Sequence, residues 1–401
     1  MKRFIVIVLD SFGIGYMEDA ALVRKQDVGA NTLKHILREV PNLKLKNLEK
    51  MGIMNALGKD YKEMKKSKAA TFGKSALMHD GADTFLGHQE IMGTRPQKPL
   101  MEPFSKSIEK VKSALEKEGY NVEYKIKDNL KLLFVNGCVT VGDNIEADLG
   151  QVYNITAALD NIDYSEVLKI GKIVRKSVKV SRVITFGGRR TSPSNILAAM
   201  EAKEGKYLGI NAPESGVYNC DYHCVHLGYG IDENVQVPTI LGKAGIQVSL
   251  FGKVADIVSN EYGKSVGCVD TEEVMKLTLE ELNKMEEGFI CTNVQETDLA
   301  GHAQDAEKYA EKLKIADKYI GLIIDKMTKE DRLIVMADHG NDPTIGHSHH
   351  TREYVPLLIY GENLKVGFIG SRKTLSDVGA TVSDFFHVKS PENGQSFLEL
   401  I

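Results

Sequence analysis

Three aspartates follow apolar, β-rich runs of the chain: Asp10 after FIVIVL at 4–9, Asp298 shortly after CTNV, and Asp338 after LIVMA. Two of them have imidazole company. Asp298 lies in ETDLAGH, with His302 four positions on, and Asp338 lies in ADHGND, with His339 adjacent and His350 following in GHSHHTREYVP. A single Asp after a strand is usually a turn or helix cap, and a single His in a polar loop is usually solvated. Three such carboxylates with three imidazoles fit a site for two divalent cations. Mixed carboxylate and imidazole donors suit Mn²⁺ or Zn²⁺ better than Ca²⁺, and the absence of Cys from these motifs argues against a structural zinc.

The next candidate is a hydroxyl. In HDGADTFLGHQEIMG, beginning at His79, Asp83 and Thr84 stand side by side among Gly81, Gly87 and Gly93. A hydroxyl beside divalent ions becomes a competent nucleophile toward phosphorus, because the ions favour its alkoxide. A threonine in such a place also makes an ordinary helix N-cap. Ser11, in DSFGIG, offers a second hydroxyl beside Asp10. The pattern by itself leaves both open.

Groups this far apart in sequence converge only if the ends of several strands bring them together. Apolar runs at 4–9, 248–251, 288–294, 333–337 and 355–360 alternate with helical patterns. That alternation predicts an α/β fold with a mainly parallel sheet, in which ligands bind beyond the carboxyl ends of the strands. Asn31 is a candidate N-cap for NTLKHILREV, and 306–327 reads as a long amphipathic helix. The middle of the chain has another texture, with Lys-rich amphipathic helices such as FSKSIEKVKSALEKEG and YSEVLKIGKIVRKS between the strand-like LKLLFVNG and SRVITF. No strand-end acidic motif falls there. It reads as an inserted α+β cap domain over 97–212, bounded by TRPQKPLMEP and NAPESG, with 1–96 and 213–401 forming the metal-binding core.

Two further clusters stand in or next to the insert. CDYHCVH, Cys220 to His226, crowds its thiols and imidazoles too closely for the usual zinc spacing. Arg189 and Arg190 in FGGRRTSPSN could clamp a phosphate bidentately, although Arg pairs in Gly-rich loops are usually solvated.

With 401 residues, the chain is long enough for two domains. Its net charge of −4 leaves no basic footprint for nucleic acid, so a small anionic substrate must be held by local charges or metals. Five cysteines in a chain this long are no disulfide framework. The N-terminal apolar run is too short and ends too soon in Asp10 to serve as a secretory signal, and nothing reaches the roughly 18 apolar residues of a membrane span. The expected location is the cytoplasm.

DSFGIG, DTFLGHQEIMG, GKVADI, ADHGNDP, HTREYVPLL, DVGATV and PENGQSFLEL resemble, in order and spacing, the phosphopentomutase family of the alkaline phosphatase superfamily. The resemblance covers both ends of the chain and is weaker in the insert. It implies an alkaline-phosphatase-like core with an inserted cap. One metal would be held by Asp10, Asp338 and His339, the other by Asp298, His302 and His350, with Thr84 as the phosphorylated residue. Lys253 in FGKVADI would contact phosphate, and Arg182 and Asp148 in the cap would hold the sugar phosphate. The implied reaction interconverts ribose or deoxyribose 1-phosphate and 5-phosphate through a phosphothreonine, with Mn²⁺ (Zn²⁺ or Mg²⁺ as alternatives) and a sugar bisphosphate activator, while the cap excludes water. Ala82, Leu86 and Gln89 depart from the family pattern, as does the short Asp298-to-His302 spacing. These departures keep a second reading open, a mutase of another phosphorylated metabolite. A phosphatase on the same metals is the third.

Overall fold

A computed structural model describes residues 1–146 and 149–401. The chain divides into two compact units, Met1–Pro96 with Asp232–Ile401, and Gln97–Ile231. The insert therefore runs past the expected boundary at 212. The reason is a strand, His223–Gly228, that pairs antiparallel with Arg182–Gly188 and so belongs to the sheet of the insert. No helix among the described residues is long and apolar enough to cross a membrane.

The larger unit is built on an eight-stranded sheet, the strands being β1 (Lys2–Leu9), β2 (Thr71–Ser75), β3 (Gln247–Phe251), β4 (Lys264–Val266), β5 (Glu287–Val294), β6 (Arg332–Met336), β7 (Val355–Tyr360) and β8 (Gly367–Arg372). Their order across the sheet is β4-β3-β5-β1-β6-β7-β2-β8. The mainly parallel α/β core expected from the sequence is present: β3, β5, β1 and β6 are consecutive parallel neighbours. Central parallel strands are covered on both faces, which is why β1 and β5 read as unbroken apolar runs and not as alternating ones. In β1, Phe4 through Leu9 are fully buried, and Phe4 meets Phe385 edge-on at 5.2 Å.

The helices needed below are α1 (Thr32–Glu39), α2 (Thr84–Ile91), α3 (Lys253–Ile257), α4 (Glu296–His302) and α5 (Ala306–Lys326). Asn31 caps α1 by accepting from the Lys34 amide, and Asp83 caps α2 by accepting from the Leu86 amide. The amphipathic α5 lays Tyr309, Leu313, Ala316, Ile320 and Ile323 into the core.

The smaller unit holds a six-stranded sheet, ordered His223–Gly228, Arg182–Gly188, Val152–Ala158, Val139–Asp143, Leu130–Val135 and Val122–Lys127. Helices Ile108–Lys117 and Tyr164–Ser177 pack with it around its own apolar core.

One buried ion pair secures the start of β1. The Arg3 guanidinium donates to both oxygens of Asp331, at 3.0 and 2.5 Å, and the two side chains are 2% and 0% exposed. Burial works to raise the Asp331 pKa, but Arg3 and the Thr328 donors hold it below its ordinary value. The pair's contribution is thus complete above about pH 4 and is lost as pH falls through the depressed value. Asp331→Ala should destabilise the protein by about 3–5 kcal/mol at pH 7, since Arg3 is left buried and unpaired. Its deficit relative to the parent should shrink below pH 4. Urea titrations at pH 7 and pH 3 measure both, and an equal deficit at the two values would refute the assignment.

Candidate metal centre

The sheet topology alone collects the motifs. β3, β5, β1 and β6 run parallel, so the residues after their carboxyl ends stand in a row: Lys253 opening α3, Asp298 in α4, then Asp10 and Asp338. β7 runs antiparallel to β6 and begins at that same edge, which brings in His350 from the segment just before it. β2 is antiparallel to β7 and ends opposite Val355, so the chain leaving β2 toward Thr84 starts from the same edge. α2 then comes down close to Asp338. A side chain at Gly87 would put its Cβ 2.9 Å from the Asp338 carbonyl oxygen, so only glycine permits this approach.

Two donor groupings result among the described residues. Donor atoms of Asp10, Asp338 and His339 all lie within 4.8 Å of one another, as do those of Asp298, His339 and His350. His339 belongs to both. His302, one helical turn beyond Asp298 on α4, stands at the solvent side with its Nε2 3.3 Å from Asp298 Oδ2 and 3.0 Å from His350 Nε2. His350 Nε2 is 3.2 Å from Asp298 Oδ1. Thr84 Oγ1 lies 2.7 Å from His339 Nε2. The Ser11 hydroxyl is instead paired with Tyr309 on α5, at 3.0 Å.

The side chains fit divalent cations by their hydrogen bonding. Nδ1 of His302, His339 and His350 faces a carbonyl oxygen, of Ser348, Gly340 and Ala82 respectively. A carbonyl only accepts, so each Nδ1 carries the hydrogen and each ring turns its Nε2 into the site. The carboxylates are arranged the same way. Asn293 Nδ2 donates to Asp10 Oδ2 and the Ser11 amide donates to Asp338 Oδ1, both at 3.0 Å. Of the other oxygens, Asp10 Oδ1 is buried without a hydrogen-bond partner, and Asp338 Oδ2, also buried, lies 3.3 Å from His88 Nδ1. They face His339 Nε2 at 3.7 and 3.3 Å. Unpaired lone pairs aimed at one another cost free energy that a shared cation removes.

The electrostatics point the same way. Burial, with Asp338 close by, pushes Asp10 up to about 8. Burial works to raise Asp338 as well, but His339 and His88 hold it well below the usual carboxylate range. Burial likewise opposes His302 and His350 at Asp298, which is held low by them. Burial pushes His339 down to about 4. Lys253 Nζ sits 3.6 Å from Asp10 Oδ2 and 3.6 Å from Asp298 Oδ2, and these carboxylates raise its pKa against burial.

Several side chains that sequence reasoning passed over support the cluster. Asn341 Nδ2 donates to Asp298 Oδ1 at 3.1 Å. Arg352 is buried and donates to the carbonyls of Leu77, His79 and Gly81, and to both carboxylate oxygens of Asp19. It thereby fixes the chain leading to Thr84. The His79 ring joins Glu90 at 2.8 Å and accepts from the Asp83 amide. Arg352 stood in HTREYVP and could have been noticed as a charge before an apolar strand. Gln89 belongs to a buried network, donating to the Ile257 carbonyl and accepting from Gln236.

The remaining candidates belong to the smaller unit. Arg182 opens strand Arg182–Gly188, and Asp148 lies outside the described residues. Arg189 is engaged by Asp221 and Asp160 at its surface. In the Cys220 to His226 segment, Tyr222 joins Tyr218 around Phe186, and all five cysteines of the chain are free thiols.

The metalloenzyme superfamily profile matches residues 2–390. Phosphopentomutase of Clostridium kluyveri is 32% identical over 100% of both chains, and that of Clostridioides difficile is 32% identical over 99% of both. Among solved structures, phosphoglycerate mutase of Leishmania mexicana is 11% identical, with a TM-score of 0.45 over 98% of this chain and 97% of that one.

Proposed function

Because the chain belongs to the metalloenzyme superfamily and, within it, to the phosphopentomutase family of metal-dependent sugar phosphate mutases, we propose that it moves a phosphoryl group between the 1- and 5-positions of ribose or deoxyribose phosphate through a phosphorylated Thr84. The observation carrying this reading is the 2.7 Å contact of Thr84 Oγ1 with His339 Nε2, the imidazole common to both donor groupings. Asp10, Asp338 and His339 would hold one ion and Asp298, His302 and His350 the other, with His339 within reach of both. Bound there, two divalent ions (Mn²⁺ by preference) supply Lewis acidity, favouring a threonine alkoxide and offsetting charge on the phosphoryl oxygens.

The chain's own residues do the positioning. Phosphoryl transfer has a loose transition state, so catalysis is chiefly alignment and charge. His339, with a pKa pushed down to about 4 by burial, keeps no proton on Nε2 at neutral pH, so the lone pair that the Thr84 hydroxyl meets is open to a cation beside that hydroxyl. Thr84 opens α2, so a phosphoryl group carried on it meets the positive end of that helix. Lys253, poised between Asp10 and Asp298, is the side chain we assign to the transferring phosphate, and Arg182 and Asp148 are those we assign to the sugar phosphate. In the proposed cycle, phosphothreonine gives its phosphoryl group to the free sugar hydroxyl, and Thr84 Oγ1 then takes back the group from the other end of the bisphosphate.

The test is direct. With Mn²⁺ and a catalytic amount of sugar bisphosphate, ribose 5-phosphate should convert to ribose 1-phosphate by ³¹P NMR, with no matching rise in inorganic phosphate. Inorganic phosphate as the sole product would make the chain a phosphatase. Turnover of a different phosphorylated sugar, with ribose 5-phosphate inert, would move the proposal to that substrate.

A further inference from the structure

Two buried polar side chains outside both donor groupings lie between the nucleophile's helix and the end of β1. His88 is on α2, one turn beyond Thr84, and Asn293 is the penultimate residue of β5; both are fully buried. His88 Nδ1 is 2.9 Å from the Thr84 carbonyl oxygen. That oxygen only accepts, so Nδ1 carries the hydrogen, and Nε2 is the ring nitrogen that faces the Asn293 amide. Asn293 Nδ2 lies 3.0 Å from this Nε2 and 3.0 Å from Asp10 Oδ2, so both amide hydrogens are used. Turned over, the amide would set its oxygen against the Asp10 carboxylate oxygen. The backbone holds it in place: Gly252 packs against β5 where any Cβ would come 2.3 Å from the Asn293 carbonyl oxygen.

We propose that His88 and Asn293 act as a positioning relay, joining the backbone of Thr84 to the metal-site carboxylate of Asp10 so that nucleophile and metal donors are set together. The run of bonds is Thr84 O, His88, Asn293, Asp10 Oδ2. Its effect is visible at the far end, where the bond to Oδ2 turns the unpartnered Asp10 Oδ1 toward His339. Neither side chain touches the reacting atoms in this scheme. Their influence runs through the orientation of Asp10, the placement of Thr84 and, from His88, the Asp338 carboxylate 3.3 Å from its Nδ1, as outer-sphere partners commonly act on metal sites. The inference rests on the metal-site reading above.

Mn²⁺ binding to the full-length protein, followed by calorimetry, tests the relay without any substrate. Asn293→Ala and His88→Leu should each weaken Mn²⁺ binding by roughly 10–100-fold, the range typical of lost outer-sphere partners. Because the two residues form one run, the double variant should bind within about twofold of the weaker single variant. His88→Asn, whose amide can still donate to the Thr84 carbonyl but falls short of Asn293, should match Asn293→Ala, and it carries the cycle if His88→Leu does not fold. In turnover, kcat should fall while KM for the sugar phosphate stays near the parent value. Unchanged Mn²⁺ affinity in the single variants, or losses that multiply in the double variant, would overturn the relay. A parent protein inert toward pentose phosphates but showing the coupled Mn²⁺ losses would instead sink the substrate reading and leave the relay standing.

Discussion

Thr84→Ala leaves a protein that binds Mn²⁺ about as tightly as the parent and turns over at a rate lower by roughly 10⁴-fold or more, the scale on which loss of an enzymatic nucleophile is felt. The expectation follows from where the hydroxyl sits. Thr84 Oγ1 touches His339 Nε2, and its removal takes away the proposed attacking atom while both carboxylate–imidazole groupings stay whole. The backbone of α2 keeps its Asp83 cap, and alanine is well tolerated at a first helical position. Thr84→Ser should recover a measurable fraction of the rate. Ser11→Ala should cost less than about tenfold, because that hydroxyl is spent on Tyr309 and its backbone amide, which holds Asp338, is retained. Labelling with a ³²P-sugar bisphosphate should mark the parent on Thr84 and leave the alanine variant unlabelled. Near-parent turnover of Thr84→Ala would move the nucleophile elsewhere.

Asp10→Asn should reverse the usual relation between a mutation and stability. In the metal-free protein, burial and Asp338 push the Asp10 pKa up to about 8, so at neutral pH the folded state is obliged to carry a proton or to bury unbalanced charge. A raised carboxylate pKa means that stability declines as pH rises from the unfolded value of about 4 toward 8. A neutral amide of the same shape escapes that decline and can still accept from Asn293. Chelated Asp10→Asn should therefore be more stable than the chelated parent at pH 7, by about 1–3 kcal/mol, and indistinguishable from it below pH 4. With Mn²⁺ the ranking inverts. The parent gains about 2.7 kcal/mol at a metal concentration 100 times Kd, whereas the variant gains little. Turnover should fall by more than the roughly 100-fold that loss of an outer-sphere partner costs. Thermal melts at pH 7 and pH 4, each with chelator and with Mn²⁺, measure all four states. A variant less stable than the parent under chelation at pH 7 would show that Asp10 is not in conflict with its surroundings.

The sequence made the strands around the site legible because fully buried parallel strands are unbroken apolar runs. FIVIVL, VSLF, GFICTNV and VPLLIY fall within β1, β3, β5 and β7, and LIVMA overruns the end of β6 by Ala337 alone. It also made the strand-end groups legible, since Asp10, Asp298 and Asp338 interrupt apolarity where β1, β5 and β6 give out. β2 and β8 were harder to read. TFGKS and GFIGSR are short and rich in small or polar residues, and one of them forms the sheet edge. The end of the insert was read too early because HCVHLG carries its apolar residues among histidines and is only partly buried, so neither its strand nor its sheet partner stands out. The sharing of His339 between two groupings depends on backbone direction at a loop, which no spacing reveals. Asn293 left a faint signal as a polar residue inside an otherwise apolar run. His88 left none that separates it from a packed imidazole.

The grip of Arg352 on the chain before Thr84 bears on how one site could serve both ends of a sugar. Three carbonyls between Leu77 and Gly81 are tied to a single guanidinium, which Asp19 holds in turn. A threonine tethered this firmly cannot swing between two stations, so in the proposed cycle the ligand has to tumble end over end between half-reactions while the protein waits. Every bond that steadies the bisphosphate in its first pose must then be broken without losing it to bulk solvent. An unusually tight grip on that species would stall the cycle midway, and the best ligand for this pocket would be a poor passenger.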